Sequence, residues 1–410
     1  FRSKTKNSRN PFIYGHFRLK KYFEKFLKSI EKRAKICYND KKVNLRYDGD
    51  TMILKRIPDN LKADIDMFRS ARKDNKVLFF SADSGMGKTY AALSYCAENK
   101  DSLYFSFRHI SAELALKTFA ERYPDVFKDC TTWSEVFGCL QIYGKEKRPT
   151  VFFDDVGERN DKTDFFAALK NFIDENSSCD VLIVLIGRPW EQIDIPCQTI
   201  SITPYSTQEI AETPSVSDKD SVDIFCLSAG ITELLSVYDT SISFEENVKV
   251  LLHINSPFYR LMKDKMCACF RTPESYNTLL YAMVNGYNRI SELSAFSGYP
   301  KNKCDKYVKT LCEFGLVRKE PEKNGHTKYY PANSYIALWY TTLLTAVPNT
   351  DGSFGEDVYD CFMRCFNDEI LSAFYKEMCV YWLEHNIISI STDYIDTKDL
   401  SYRNVKVGNV

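Results

Sequence analysis

The sequence predicts an α/β fold: a parallel sheet covered by helices, followed by a helical segment, a unit of three helices and a hairpin, and a small α-rich C-terminal region. Three observations predict it. Between Lys76 and residue 203, short apolar runs alternate with longer amphipathic segments, the pattern of strands joined by crossover helices. The first run leads into a glycine-containing turn and a helix-forming stretch. From Pro273, three short helical patterns precede two strands separated by Glu322-Lys323-Asn324-Gly325, a polar turn with glycine near its tip.

At 410 residues the chain has room for two or three domains. Residues 1–60 read as a basic extension. A helix entered at Asn10-Pro11 carries the stripe Phe17, Tyr22, Phe23, Phe26, Leu27 and Ile30, and an irregular polar stretch covers 38–60. Residues 61–206 form the core, with strands expected near 76–81, 102–107, 150–154, 181–186 and 198–203. Residues 207–272 are helical and follow the core as a lid. Residues 273–345 give helices at 275–285, 290–297 and 301–314 and strands at 316–320 and 327–331, the winged-helix order. An acidic region, 346–410, closes the chain.

The turn Ala82-Asp83-Ser84-Gly85-Met86-Gly87-Lys88-Thr89, followed by Tyr90, has the Walker A spacing, with Ala82 in place of the first glycine. A phosphate chain needs many N–H donors converging on it, and only a loop of low side-chain bulk lets the backbone approach. Lys88 is expected to reach the β- and γ-phosphates and Thr89 to ligate magnesium. Downstream, the apolar strand Thr150-Val151-Phe152-Phe153 ends in Asp154-Asp155, the Walker B pattern. Asp154 is expected to hold magnesium and Asp155 to polarise the attacking water. Asp155 is a methylene shorter than glutamate, which predicts slow turnover, and Glu158 is a substitute base. The strand Val181–Ile186 ends in Gly187-Arg188-Pro189. There Arg188 either senses the γ-phosphate, as in P-loop ATPases of the additional-strand type, or pairs with an acid such as Glu191. The expected fold is thus a P-loop NTPase sheet of that type, binding and hydrolysing ATP with Mg2+.

The third helix and hairpin of the winged-helix segment carry Lys301, Lys303, Lys306, Lys309, Arg318, Lys319, Lys323 and Lys328 against Asp305, Glu313, Glu320 and Glu322, an excess of four positive charges. Lys301, Lys303, Lys306 and Lys309 would face a DNA groove, with Lys323 at the wing. Such modules also pack against protein, and a formal net charge of zero leaves that reading open. Tyr329-Tyr330 and Trp339-Tyr340 read as core and interface.

The two ends differ in charge. Residues 1–35 hold twelve Lys or Arg against Glu24 and Glu31, and 351–400 hold eleven Asp or Glu against Arg364, Lys376 and Lys398. They either solvate helix faces or dock on each other or on a neighbouring copy. Fourteen cysteines scattered through helical and strand patterns read as reduced core thiols, and with no secretory pattern or apolar run of ~18 residues the expected place is the cytoplasm, without membrane contact.

Beyond these motifs the chain resembles the archaeal-type P-loop ATPase family of prokaryotes, related to the AAA+ and STAND NTPases, over about residues 76–385. Ile202-Thr203-Pro204-Tyr205-Ser206 with Glu209 is similar to that family's fifth strand and following turn. Ala229-Gly230-Ile231-Thr232 is similar to its Gly-Gly-Ile-Pro lid element, and Tyr276 through Gly286 with Ile290-Ser291-Glu292-Leu293 to the start of its winged helix. Phe12-Ile13-Tyr14-Gly15-His16 is a loose echo of its N-terminal Phe-x-Gly-Arg. Phe374 through Cys379 resembles the opening helix of a restriction-endonuclease-like region, without the Glu-x-Asp strand and Lys of its metal site, so nuclease activity is not expected. The resemblance implies an ATP-driven conformational switch coupled to DNA or a protein partner, with a homo-oligomer open. Other readings are a nucleotide-binding scaffold and a DNA-binding regulator, both with little hydrolysis.

Overall fold

A computed structural model describes residues 56–70, 77–107, 110–157, 163–175, 180–191, 193–213, 216–322, 325–376 and 379. The basic helix of 1–35, the Phe12–His16 echo, Glu158, Lys323 and about half of the acidic C-terminal region lie outside them. Residues Thr51–Phe366 form one compact unit, which holds the sheet, the helices that cover it and the hairpin.

The core begins with helix α1, Arg56–Ser70, and strand β1, Val77–Ser81, then helix α2, Lys88–Glu98, and strand β2, Leu103–Ser106. Helices α3 (Ala112–Arg122), α4 (Pro124–Phe127) and α5 (Trp133–Glu146) precede β3, Thr150–Asp154, and α6 (Thr163–Glu175) precedes β4, Leu182–Gly187. The sheet closes with β5, Gln198–Ser201, in the order β2-β3-β4-β1-β5, and every pairing is parallel. Strand β4 therefore separates the strand before the phosphate loop from the one bearing Asp154, as expected of the additional-strand arrangement. β1, β3 and β4 are buried on both faces, which is why they read as unbroken apolar runs.

Alternate strand residues feed two cores. Val77, Phe79, Phe105, Val151, Phe153, Ile183 and Leu185 pack with Phe119, Trp133 and Phe165 of α3, α5 and α6. The aromatic contacts there are mostly edge-on, Phe153 and Phe165 lying 5.0 Å apart between ring centroids. On the other face Leu78, Phe80, Phe152, Val184 and Ile186 pack with Ala91, Ala92 and Tyr95 of α2 and with α1.

Helix α1 differs from the sequence reading, which left residues 56–60 irregular. Ile57, Leu61, Ile65 and Phe68 recur at spacings of four, four and three and are all buried, so one narrow stripe anchors a helix whose other face is charged. Its last turn is fastened by Arg69. The guanidinium donates to the carbonyls of Arg148 and Pro149 and to Thr150 Oγ1, each at 3.0 Å, and meets Asp180 Oδ1 at 3.2 Å. Arg69→Ala removes these contacts, although Pro149 O keeps Leu182 N and Thr150 Oγ1 keeps Tyr95 Oη, and is expected to cost about 1–2 kcal/mol. A denaturant midpoint that stays at the parent's value would refute this.

After β5, helices α7 (Thr207–Ala211), α8 (Asp218–Ser228), α9 (Thr232–Leu235), α10 (Phe244–Leu251) and α11 (Pro257–Cys269) follow, with no strand among the described residues of that stretch. Helices α12 (Glu274–Val284), α13 (Ile290–Ser297) and α14 (Lys301–Glu313) then lead into an antiparallel hairpin, β6 (Val317–Pro321) with β7 (Thr327–Pro331). Arg289 clasps Glu322 through two guanidinium nitrogens at 3.2 Å or less, and Asn288 exchanges backbone and amide bonds with Tyr329, which fixes the hairpin on α13. Helix α15, Ser334–Thr342, returns to α11, where Tyr335 and Trp339 donate to the carbonyls of Phe258 and Tyr259, and α16, Glu356–Cys365, follows. The aromatics of α15 are thus packing residues. No helix among the described residues is long and apolar enough to cross a membrane.

Candidate nucleotide and magnesium site

The phosphate-loop turn leaves β1 at Ser81. Ala82, buried, donates its N–H to Gly187 O of β4 at 3.3 Å. Gly85 and Gly87 have φ of 79° and 81°, in the left-handed region that side chains other than glycine rarely adopt. A Cβ on Gly85 would also lie 3.0 Å from the Leu261 methyls, so the loop's thinness has two causes. Helix α2 starts directly at Lys88 with Gly87 as its N-cap and no side-chain cap, the kind of helix end that suits an anion. Met86 is buried and Tyr90 exposed.

Lys88 Nζ donates to Ala82 O at 2.6 Å and Asp83 O at 2.9 Å, so the ammonium lies across the loop. Burial lowers its pKa, an effect opposed by Asp154 and Asp83 and reinforced by the charge of Arg188. Thr89 Oγ1 donates to Asp154 Oδ2 at 2.6 Å. The same oxygen accepts the Tyr104 hydroxyl at 2.8 Å, while Asp154 Oδ1 accepts the backbone N–H of Asp155 at 2.9 Å. Asp154 is only 2% exposed. Its pKa is raised by burial and by the neighbouring Asp155, against the pull of those hydrogen bonds. A dry carboxylate beside a second one is a place where added positive charge is favourable, and a hard divalent ion fits it. No group of three or more His, Cys, Asp or Glu among the described residues offers a metal site by itself. Magnesium needs none, since it takes one carboxylate and completes its shell with water and phosphate oxygens.

Asp155 sits at φ 57°, a strained position for a residue with a side chain, and its Oδ2 accepts from Ser106 Oγ at 3.1 Å. Arg188 donates its backbone N–H to Glu191 Oε2 at 2.8 Å, and its guanidinium lies 5.9 Å from the Trp190 ring. Glu191 occupies a notch that two glycines leave open, for a Cβ on Gly157 or Gly187 would fall 1.8 or 2.4 Å from its carboxylate.

The helices after β5 cover the loop. Glu233 N donates to Gly85 O at 2.8 Å and Thr232 Oγ1 to Met86 O at 3.3 Å, so the Ala229–Thr232 element rests on the glycines. Lys265 of α11, 9% exposed, meets Asp83 Oδ2 at 3.2 Å. The fold thus brings Lys88, Thr89, Asp154, Asp155 and Arg188 to one crevice at the carboxyl ends of β1, β3 and β4. It adds Tyr104, Ser106, Glu191 and Lys265, of which only Glu191 had been singled out. Away from the crevice, on α14, Lys301, Lys306 and Lys309 are exposed, with Lys309 paired to Asp305 at 2.7 Å. Lys303 lies 4.0 Å from the Tyr299 ring.

No protein-family model matches the chain, and no curated protein matches it. Among solved structures, 115 chains match. The RuvB Holliday junction branch migration motor of Thermotoga maritima is 12% identical, with 65% of this chain and 89% of that one covered and a TM-score of 0.34. Cdc6p from Pyrobaculum aerophilum is 12% identical over 77% and 96% of the two chains, with a TM-score of 0.38. Drosophila ORC bound to AT-rich DNA and Cdc6 is 9% identical over 70% and 92%, with a TM-score of 0.26.

Proposed function

We propose that the chain is a P-loop ATPase, using ATP and Mg2+, that works as a conformational switch. The observation that carries this reading is the 2.6 Å bond from Thr89 to Asp154, which joins a glycine-built phosphate loop to a buried carboxylate sixty-five residues away. When bound, magnesium would neutralise charge on the phosphate oxygens. Thr89 and Asp154 hold its position, Lys88 turns its ammonium from the loop carbonyls to the β- and γ-phosphates, and Asp155 orients and deprotonates the attacking water. Arg188 lies close enough to Lys88 to depress its proton affinity, which suits a γ-phosphate sensor. Its backbone contact with Glu191 does not compete with that role.

In this reading residues 207–272 are the lid and 273–345 a winged helix. A route between site and winged helix is built from aromatic rings. Trp190, two residues after Arg188, meets Phe314 edge-on at 5.0 Å, Phe314 meets Phe270 at 5.3 Å, and Phe270 stacks on Tyr276 at 3.8 Å. This packing favours a winged helix that works by docking on the chain's own core during the cycle. Contact with DNA through Lys301, Lys306 and Lys309 is the alternative, and mobility shifts at two salt concentrations separate the two, since phosphate contacts weaken steeply with salt.

The test is phosphate release with ATP and magnesium, with Lys88→Ala as control. The parent is expected to release phosphate slowly but measurably and the variant none above background. Equal release from the two would overturn hydrolysis and leave the scaffold reading.

A further inference from the structure

Strand β2 lies at the edge of the sheet, next to β3, with Tyr104 paired to Phe152 and Ser106 to Asp154. Residues two apart on a strand share a face, so Tyr104 and Ser106 present hydroxyls towards the same side as Asp154 while Leu103 and Phe105 enter the opposite core. Tyr104 meets Asp154 and Ser106 meets Asp155, and the two hydroxyls also meet each other. Tyr104 is 8% exposed and held at its backbone too, since its N–H donates to Tyr123 Oη and its carbonyl accepts from the same hydroxyl, both at 2.9 Å.

Resting on the nucleotide reading above, we propose that Tyr104 is a positioning residue for magnesium. Its O–H fixes the Asp154 carboxylate so that the edge shared with Thr89 faces the ion. A buried tyrosine hydroxyl finds a partner in most folds, and a purely structural role would end there. Two features go further. The acceptor is the oxygen that also takes the Thr89 hydrogen bond, and the donor sits on a stretch of backbone that a second tyrosine clamps. Outer-shell partners of this kind orient the group that meets the metal, and their loss commonly weakens metal binding about 10- to 100-fold.

Tyr104→Phe removes one oxygen and keeps the ring that packs against α2 and β3. Binding of a non-hydrolysable ATP analogue to the full chain is measured in EDTA and across a magnesium chloride titration. For Tyr104→Phe the affinity in EDTA is expected to stay within about twofold of the parent, with the magnesium midpoint raised about tenfold or more. A midpoint unchanged in Tyr104→Phe, or an equal loss of affinity with and without magnesium, overturns the role of Tyr104 alone. A parent chain that binds no nucleotide, or binds it with no gain from magnesium, overturns the underlying site reading and this role together.

Discussion

Gly230→Ala is expected to destabilise the protein by roughly 2–5 kcal/mol, with an added side chain in the left-handed region and overpacking both contributing. Gly230 has φ of 71°, and a Cβ there would fall 2.1 Å from Tyr205 O and 2.8 Å from Tyr205 N. Those atoms are backbone and cannot rotate away. The same close approach makes the 2.9 Å bond from Tyr205 N to Gly230 O, which joins the turn after β5 to the element resting on the phosphate loop. The substitution therefore damages stability and the seating of Thr232 and Glu233 on Met86 and Gly85 at once. The neighbouring Ala229→Gly is the control. Ala229 already holds a Cβ at φ 51°, so glycine relieves strain but adds freedom to the unfolded chain, and a net change within about 1 kcal/mol is expected. Thermal or urea denaturation of the two variants checks this, and a parent-like midpoint for Gly230→Ala would show that the approach to Tyr205 is not as close as described.

How much of the fold and site was legible in the sequence depended on how local each signal is. All five strands were placed within two residues or so, because β1, β3 and β4 are buried on both faces and the chain pattern around them is simple. The turn at Gly85 and Gly87 was legible as a thin loop because glycine at positive φ is a requirement that no other residue meets cheaply. Ala229, which stands where the family resemblance has glycine, is the second of only two described non-glycine residues at positive φ, a conformation the sequence reading did not anticipate. Helix α1 was missed because its six apolar residues are matched by six charged ones when composition rather than spacing is read. Tyr104 and Lys265 were missed for a different reason. A hydroxyl in an apolar strand and a lysine in a helix carry no local mark of function, and their partners lie 50 and 182 residues away. The notch for Glu191 could have been suspected from Gly157 and Gly187 only by someone who already knew that β3 and β4 are neighbours.

Asp155→Asn is expected to reduce phosphate release about 10²- to 10⁴-fold, the usual loss when a positioned base is removed, with nucleotide affinity kept within a few-fold. The substitution isolates charge from geometry. Asparagine tolerates φ of 57° about as well as aspartate, and its amide oxygen can still accept from Ser106 Oγ. Asp154 keeps its backbone partner too, since that bond comes from the N–H of residue 155 and not from its side chain. Magnesium positioning by Thr89 and Asp154 should therefore survive, and what disappears is the proton acceptor. Because the Asp155 carboxylate is a methylene shorter than glutamate, its water is held less closely and the parent rate is itself expected to be slow. Parent-like release by Asp155→Asn, together with loss of release in Glu158→Gln, would move the base to Glu158. Binding lost along with turnover in Asp155→Asn would instead make Asp155 part of the magnesium site.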